Sequence, residues 1–164
     1  MSEAYDRMEW NYLQKLMEKM GFCSRWICLI MECVHIVSYS ILVNGDPKGL
    51  INPTGGIRQG DPLSPFLFLL CTEGLHGLIK KAARAKEING FSICKRGPKL
   101  THLFFADDSL LFCKANSHEC GNVLKILAEY EEVSSQKINK EKTSLFFSKS
   151  TNNVVKEEIK NVLV

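Results

Sequence analysis

Apolar residues recur at helical spacing in several stretches of the chain, and most of these stretches follow a residue that can cap a helix. The first run, at residues 10, 13, 17 and 20, comes after Asp6 and Glu9, which are spaced as a capping box. Ser24 and Ser64 are expected to cap the next two helices, because a side-chain oxygen there can accept from a free backbone N–H. The pattern predicts helices that end near residues 20, 35 and 86.

The second half of the chain continues the alternation of helices with short strands. Asn116, three residues before Glu119, predicts the start of a helix to about Val133, and the residues after 151 place apolar positions on one helical face. Strand-like runs lie between the helices: SYSILVNG with a turn at GDPKG, FSIC and LTHLFF around a Gly-Pro turn, SLLFCK, and part of KINKEKTSLFFS. Without regular βαβ spacing, this order predicts an α+β fold in one domain, residues 1–164.

The composition is that of an ordinary globular protein, with 45% hydrophobic and 24% charged residues among 164. A net charge of +3 is too small to indicate a polyanionic partner. Basic residues cluster as KKAARAK at 80–86 and KRGPK at 95–99; these runs permit phosphate contacts, although a solvated helix face explains either run alone. Seven cysteines without a paired framework favour a reducing compartment, so we expect an intracellular protein, cytoplasmic or nuclear and not secreted.

The stretch FFADDSLLF, residues 104–112, places two adjacent acids between apolar runs that predict a hairpin. At about 4 Å and an effective dielectric constant of about 20, the charges of Asp107 and Asp108 repel by about 4 kcal/mol before solvent relieves it. Either water screens the pair on an exposed turn or a cation lies there. Magnesium prefers such hard oxygen ligands, and two-metal nucleotidyl transfer needs a further carboxylate from elsewhere. Acidic turns are common, so the pair alone does not decide between these interpretations.

A second stretch, GGIRQGDPLSPFLFLL at residues 55–70, combines glycines with polar donors. Glycine lets the backbone approach a ligand closely, and Arg58 and Gln59 offer donors beside it. The helix start after Ser64, with Pro65 at the first helical position, adds unpaired N–H groups. A loop that leads into a well-capped, buried helix is the simpler interpretation of this stretch taken alone.

Taken together, RQGDPLSPFLF and, about forty residues later, FADDSLLF closely resemble the palm of reverse transcriptases, specifically those of LINE-like non-LTR retrotransposons. AYDRMEW is similar to the end of motif A and the helix after it, SYSILVNG through RQGDPLSP to motif B, FADD to motif C, and KINKEKTSLFFS to motif D. The resemblance covers almost the whole chain. It implies a polymerase palm with a small antiparallel sheet packed on helices, without fingers and thumb.

The resemblance also implies roles for individual residues. Asp107 and Asp108 match the catalytic, metal-binding carboxylates, with Mg2+ as the expected cofactor. The positions that match nucleotide-binding segments are Tyr5 (a steric gate against the ribose 2′-hydroxyl), Arg58, Gln59 and Gly60 of motif B, and Phe105 and Ala106 beside the acids near the primer end. Lys142 matches the motif D lysine thought to help protonate the leaving pyrophosphate. The implied partners are an RNA template, a DNA primer and deoxynucleoside triphosphates.

Motif A is the main departure from the family pattern. In the family it has the pattern D-x-S-K-A-Y-D, and its first Asp, the third metal ligand, would fall immediately before Met1. Asp6 is a poor substitute, because the capping box explains it. We therefore expect a partial palm that is inactive as an isolated polypeptide and exposes apolar surface that promotes self-association. A non-catalytic module that holds nucleic acid or a partner, and a relic without a selected role, are the alternatives.

Overall fold

The helices form where apolar side chains recur every three or four residues, and they lie where the sequence predicts them. A computed structural model describes residues 5–95, 97–105 and 108–163. The helices are α1 (Trp10–Lys19), α2 (Ser24–His35), α3 (Ser64–Arg84), α4 (Ser117–Ser134) and α5 (Asn153–Leu163). The predicted ends near residues 20, 35, 86 and 133 are each within two residues of the observed ones.

The residues that cap these helices differ in part from those expected. The Asn116 cap of α4 is confirmed, because its side-chain oxygen accepts from the Glu119 N–H at 2.7 Å. The capping box before α1 is wrong: Glu9 is itself the residue before the helix and makes no side-chain cap bond. Ser24 and Ser64 are the first helical residues rather than caps. Local patterns therefore locate these helix starts to within one residue, but do not identify the cap.

A turn before α3, and not Ser64, supplies a side-chain acceptor for a free backbone N–H at the start of the helix. The Asp61 carboxylate accepts from the Leu63 N–H at 2.8 Å. An Asp readily bonds the backbone two residues further on, so it satisfies an N–H that the helix leaves free. Pro65 lies in the first turn of the helix, as expected. The segment DPLSP thus fixes the entry to α3 through Asp61.

The strands form separate two-stranded antiparallel sheets, which with the helices give the expected α+β composition. They are β1 (Tyr39–Val43) with β2 (Asp46–Ile51), β3 (Phe91–Ser92) with β4 (Lys99–Leu100), and β5 (His102–Phe105) with β6 (Asp108–Leu111). The first turn lies at Asn44 and Gly45, not at GDPKG, because their φ angles of 54° and 88° suit a two-residue hairpin turn. The strand predicted within KINKEKTSLFFS is wrong. That segment forms one 3₁₀ turn at Lys140–Lys142 and then irregular chain, with no described strand beside it to share backbone hydrogen bonds.

Helix α3 is the element around which the core is built, because its buried face contributes to both hydrophobic clusters. The first cluster joins the N-terminal half of α3 to α1, α2 and the preceding loop; its buried members are Met8, Leu13, Met17, Ile27, Ile30, Met31, Val34, Ile57, Leu67, Phe68 and Cys71. The second joins the C-terminal half to α4; its buried members are Leu75, Ile79, Ala82, Ile88, Ile126 and Tyr130. Phe104 and Leu111 of the β5–β6 hairpin pack against this second cluster.

Two tyrosines join the clusters near the middle of α3. The hydroxyls of Tyr12 and Tyr130 donate to the same acceptor, the Cys71 carbonyl oxygen, at 3.1 and 3.3 Å. Their rings meet edge to face with centroids 6.2 Å apart. Burial raises the pKa of both tyrosines above the usual value of about 10, so both hydroxyls remain protonated donors. One carbonyl therefore ties α1 and α4 to α3.

Gly74 makes the close approach of the Tyr12 hydroxyl to α3 possible. It lies one helical turn after Cys71, and a Cβ at this position would overlap the Tyr12 hydroxyl. Gly77, almost one turn further along the same helix, has no atom within 4 Å of its Cβ position. The two helical glycines differ in the space around them and not in secondary structure.

We expect Gly74→Ala to lower the free energy of unfolding by about 1–3 kcal/mol, because the added methyl group displaces the Tyr12 hydroxyl and overpacks the junction. Gly77→Ala is the matched control and should raise stability by up to about 1 kcal/mol through helix propensity alone. Chemical denaturation followed by circular dichroism measures both changes. Equal shifts in the two variants would contradict the packing role of Gly74.

Glu119 ties two loops to the start of α4. The residue is 4% exposed, and its carboxylate accepts from the backbone and side-chain amides of Asn89 at 2.9 and 2.7 Å and from the Lys114 N–H at 3.0 Å. Burial by itself would raise the pKa of Glu119, but these donors outweigh burial and hold the pKa below its usual value. Asn89 precedes β3 and Lys114 follows β6. One carboxylate therefore holds both ends of the segment that contains strands β3 to β6.

We expect Glu119→Gln to lower the free energy of unfolding at neutral pH by about 1.5–3 kcal/mol, the usual contribution of hydrogen bonds to a charged group. A carboxyl with a depressed folded pKa stabilises the fold above its unfolded pKa of about 4.3, and this stabilisation is lost as pH falls through the folded pKa. The wild type should therefore lose stability below about pH 5 more steeply than the variant. Denaturation across pH measures this, with the exposed Glu129→Gln as control. A Glu119 variant that kept the wild-type acid slope would refute the assignment.

Apolar side chains remain exposed at several places, as the sequence leads one to expect. Every residue of β1 and β2 is exposed. Ile36, Phe105 and Phe146 are 84%, 82% and 88% exposed. Among the helices of the described residues, none has the length and apolar character needed to cross a membrane. Self-association through such surface remains a prediction.

Candidate functional site

The segment that resembles the end of motif A lies directly against the motif B loop. The Ile57 N–H donates to the Tyr5 carbonyl oxygen at 2.7 Å, and the Gly56 N–H donates to the Met8 carbonyl oxygen at 2.8 Å. The Trp10 indole N–H donates back to the Gly56 carbonyl oxygen at 2.6 Å. Three hydrogen bonds thus join residues about 50 positions apart in the chain, and they fix the loop that leads to Arg58.

Only glycine fits at the centre of this contact. Gly56 has a φ of +80°, and a Cβ there would come within 2.8 Å of the Asp6 carbonyl oxygen. Asp6 itself is exposed and lies in a turn, so the close approach involves its backbone and not its carboxylate. The glycine therefore serves the contact between two chain segments, not the approach of a ligand that the sequence suggested.

Tyr5, which precedes α1, packs against the N-terminal part of α3. Its ring stacks on Phe68 with centroids 5.3 Å apart and an angle of 24° between the ring planes. Tyr5 is half-buried, and Phe68 is only 3% exposed. A stacked, half-buried ring has little rotational freedom, so its orientation is set by the first cluster.

The loop continues beyond Gly56 and Ile57, whose backbone N–H groups are hydrogen-bonded to the motif A segment. Its next three residues, Arg58, Gln59 and Gly60, are all exposed. Gly60 has a φ of +84° with no atom near its Cβ position. The Asp61 N–H donates to the Arg58 carbonyl oxygen at 3.3 Å, which closes the loop into a turn before α3. The Arg58 and Gln59 side chains therefore extend into solvent from a backbone that is held at both ends.

Asp108, the second acid of the pair, is the first residue of β6 in the β5–β6 hairpin. Phe105 pairs with Asp108 and Phe104 with Ser109, so these two pairs lie on opposite faces. The Phe104 face packs on the second cluster, whereas Phe105 and Asp108 are exposed. Ala106 and Asp107, assigned to the tip of this hairpin from the sequence, lie outside the described residues.

The open end of the β5–β6 hairpin packs against the middle of α3. Thr101 and Phe112, at the open end of the hairpin, line a small cavity with Ile79. His102, the next residue of the strand, contacts His76 through ring nitrogens 2.7 Å apart. These contacts hold the start of β5 beside the middle of α3.

The acids match magnesium in chemistry, but the described residues do not complete a metal site. Adjacent carboxylates are the hard oxygen donors that Mg2+ prefers. Within residues 5–95, 97–105 and 108–163, however, no three His, Cys, Asp or Glu side chains form a metal-binding group. Nor does a hydrogen bond or ring contact between described residues join Asp108 to Tyr5 or Gln59. The donors are of the right kind and too few for a two-metal site.

Lys142 lies at the end of the 3₁₀ turn and is exposed. Its N–H donates to the Asn139 side-chain oxygen at 3.2 Å, which holds the turn together. No described contact links its ammonium group to the β5–β6 hairpin. Its assigned role stays a prediction.

Sequence reasoning missed the residues that hold the site together. Trp10 was assigned only to the apolar face of α1, although its indole N–H fixes the motif B loop. Phe68 was assigned only to a buried helix, although it orients Tyr5. Asp61 stands before a proline in the sequence, and this Asp-Pro pair was the available signal for the turn.

Residues 1–161 match the family described as reverse transcriptase (RNA-dependent DNA polymerase). The chain therefore belongs to the reverse transcriptase family. An uncharacterized mitochondrial protein of Arabidopsis thaliana is similar to it, with 48% identity over 68 residues. That match covers 42% of this chain and 56% of the relative, so the chain spans little more than half of the relative's length.

We expect Gly56→Ala to lower the free energy of unfolding by about 2–4 kcal/mol, because the methyl group meets the Asp6 carbonyl in a backbone conformation that L-residues disfavour. Gly60→Ala is the matched control: its φ is also positive but its surroundings are open, so it should cost only about 1–2 kcal/mol. Urea denaturation of both variants measures the difference. Equal losses would show that the contact with Asp6 carries no energy.

Proposed function

We propose that the chain is the palm part of an RNA-directed DNA polymerase of the LINE-like non-LTR type, and that Asp107 and Asp108 are two of its metal-binding carboxylates. The observation that carries the proposal is the arrangement along α3. The loop with Arg58 and Gln59 leads into the helix, and the hairpin that carries Asp108 packs against the same helix through His102 and Phe104. Template-directed nucleotidyl transfer needs these segments close together, because reacting groups must be held in a near-attack geometry.

Magnesium, when bound by the two acids, would stabilise the charge of the phosphoryl group being transferred. Asp108 lies on the solvent-facing side of β6, so its carboxylate is open to a ligand without movement of the hairpin. Asp107 is proposed to act beside it. Lys142 is proposed as the proton donor to the leaving pyrophosphate.

The nucleotide is proposed to bind between the motif B loop and the hairpin tip. Tyr5, held by Phe68, would crowd the ribose 2′-hydroxyl and favour deoxynucleotides over ribonucleotides. Arg58 and Gln59 would donate to the nucleotide and template, and Gly60 leaves open space beside them. The remaining proposed contacts, at the primer end, are Phe105 and Ala106.

We further propose that the 164-residue chain does not polymerise by itself. Two metals in such a site require a carboxylate beyond the acid pair. Among the described residues no group of three His, Cys, Asp or Glu side chains includes Asp108, and Asp6 meets the loop through its backbone. Losing one member of a catalytic set normally removes most of the rate.

Titration with Mg2+ alone tests the role of the acid pair. We expect weak binding in the millimolar range, measured by isothermal titration, that Asp107→Asn/Asp108→Asn abolishes because both carboxylates are lost. Glu157→Gln/Glu158→Gln is the matched control, since it neutralises two adjacent exposed acids on α5. It should keep the wild-type heat. Equal losses in both variants, or an unchanged heat in the first, would remove the acid pair from the proposed site.

Primer extension on an RNA template completes this test. The 164-residue chain should incorporate no deoxynucleotide with Mg2+ present. If the chain incorporates deoxynucleotides and Asp107→Asn abolishes this activity, the proposal that the site is incomplete is refuted. The assignment to a polymerase would then be supported. Binding to a primer–template that weakens with salt would identify a nucleic-acid-binding module, and absence of binding at low salt would leave a relic.

A further inference from the structure

Positive charge is concentrated in one segment of the chain. Residues 80–102 hold seven of the 21 lysines and arginines and one of the 18 acidic residues. This segment carries a net charge of +6, and the remaining residues carry −3, because the whole chain carries +3. The modest overall charge therefore hides a strongly basic region.

Helix α3 places its part of this charge on one exposed face. Lys80, Lys81 and Arg84 are exposed, whereas Ile79 and Ala82 between them are 2% and 4% exposed. Residues four apart on a helix lie on the same side, so Lys80 and Arg84 are neighbours, and Lys81 lies beside them. None of the three cations forms an ion pair with another described residue.

The rest of the charge lies on the chain that follows the helix and packs back against it. Ile88, between α3 and β3, lines the same small cavity as Ile79 and Thr101, so this part of the chain stays close to the end of α3. The exposed cations here are Lys86, Lys95 and Lys99. We call the six exposed cations the basic surface: Lys80, Lys81, Arg84, Lys86, Lys95 and Lys99.

A simpler explanation accounts for only part of this surface. The dipole of α3 favours cations in its last turn, which explains Lys81 and Arg84. It does not explain Lys95 and Lys99, which lie outside the helix. The nearby acids do not neutralise the surface either, since Glu87 makes no ion pair with a described residue. Unpaired like charges repel one another, and a bound polyanion would relieve this repulsion.

We propose that the basic surface binds the phosphate backbone of a nucleic acid at a site separate from Asp108. Arg84 lies about 12 Å along α3 beyond His76, which contacts His102 at the open end of the hairpin. Asp108 pairs with Phe105 at the other end of the same hairpin. The inference rests on the proposed function, which supplies either single-stranded RNA template or RNA–DNA duplex as the polyanion.

Fluorescence anisotropy with labelled single-stranded RNA and with labelled RNA–DNA duplex tests this site. Each phosphate contact contributes about 0.9 to the slope of log affinity against log salt for a duplex and about 0.7 for a single strand. We expect Lys80→Gln/Lys81→Gln/Arg84→Gln to reduce the slope by about 2–3 and to weaken binding at low salt by on the order of tenfold or more. The probe with the larger loss identifies which form of nucleic acid uses the surface.

Lys15→Gln/Lys19→Gln/Lys125→Gln is the matched control. It removes the same charge from exposed helical positions on α1 and α4, and it should leave the slope unchanged. Circular dichroism should show wild-type folding for both triple variants, because all six side chains are exposed. If the first triple variant does not fold, Lys80→Gln and Arg84→Gln singly should each reduce the slope by about 1.

The possible failures are distinguishable. A wild-type slope in Lys80→Gln/Lys81→Gln/Arg84→Gln would show that the basic surface does not bind nucleic acid. The proposed function would be unaffected by that result. Wild-type protein that binds neither nucleic acid at low salt overturns both. Binding to anionic phospholipid vesicles without binding to nucleic acid would assign the surface to a membrane instead. Loss of the same slope in Asp107→Asn/Asp108→Asn would show that the two regions are one site.

Discussion

The hydrogen bonds from Tyr12 and Tyr130 to the Cys71 carbonyl set where α1 and α4 cross α3. The rest of the candidate site follows from this crossing. Helix α1 begins with Trp10, which holds the motif B loop, and α4 begins beside Glu119, which holds the loops around the acid hairpin. Burial also raises the pKa of the Cys71 thiol to about 12, so its sulfur stays neutral within the core. Movement of either outer helix would shift one half of the site against the other.

The fold class and the helices follow from the sequence because apolar periodicity survives the formation of tertiary structure. Asn116 is the only expected cap that the described structure retains, since its partner Glu119 lies within the same turn. The contact between Trp10 and Gly56 joins residues 46 positions apart, and no local pattern predicts such a pairing. The strand expected before Ser148 failed for the same reason: a strand needs a neighbour, and propensity does not supply one.

Composition and spacing left the chemistry open, because an acidic turn and a glycine-rich loop each have a purely structural explanation. The order of the two motifs suggested the family, and family membership now rests on a match across residues 1–161. The packing of the β5–β6 hairpin against α3 depends on which residues touch His76 and Ile79, and a sequence pattern does not contain that information. The concentration of charge in residues 80–102 was visible in the sequence, but its position at the far end of α3 was not.

The contact between His76 and His102 makes the packing of the β5–β6 hairpin on α3 depend on pH. Two imidazoles 2.7 Å apart share a hydrogen bond only while one facing nitrogen carries no proton. Burial, His76 and the charge of Lys80 lower the pKa of His102, and Glu73 partly opposes them. A histidine with a lowered pKa stabilises the fold above its unfolded pKa of about 6.5, and this contribution is lost as pH falls through that value. The hydrogen bond between these histidines therefore adds to the packing of Phe104 and Leu111 at neutral pH and contributes less in acid.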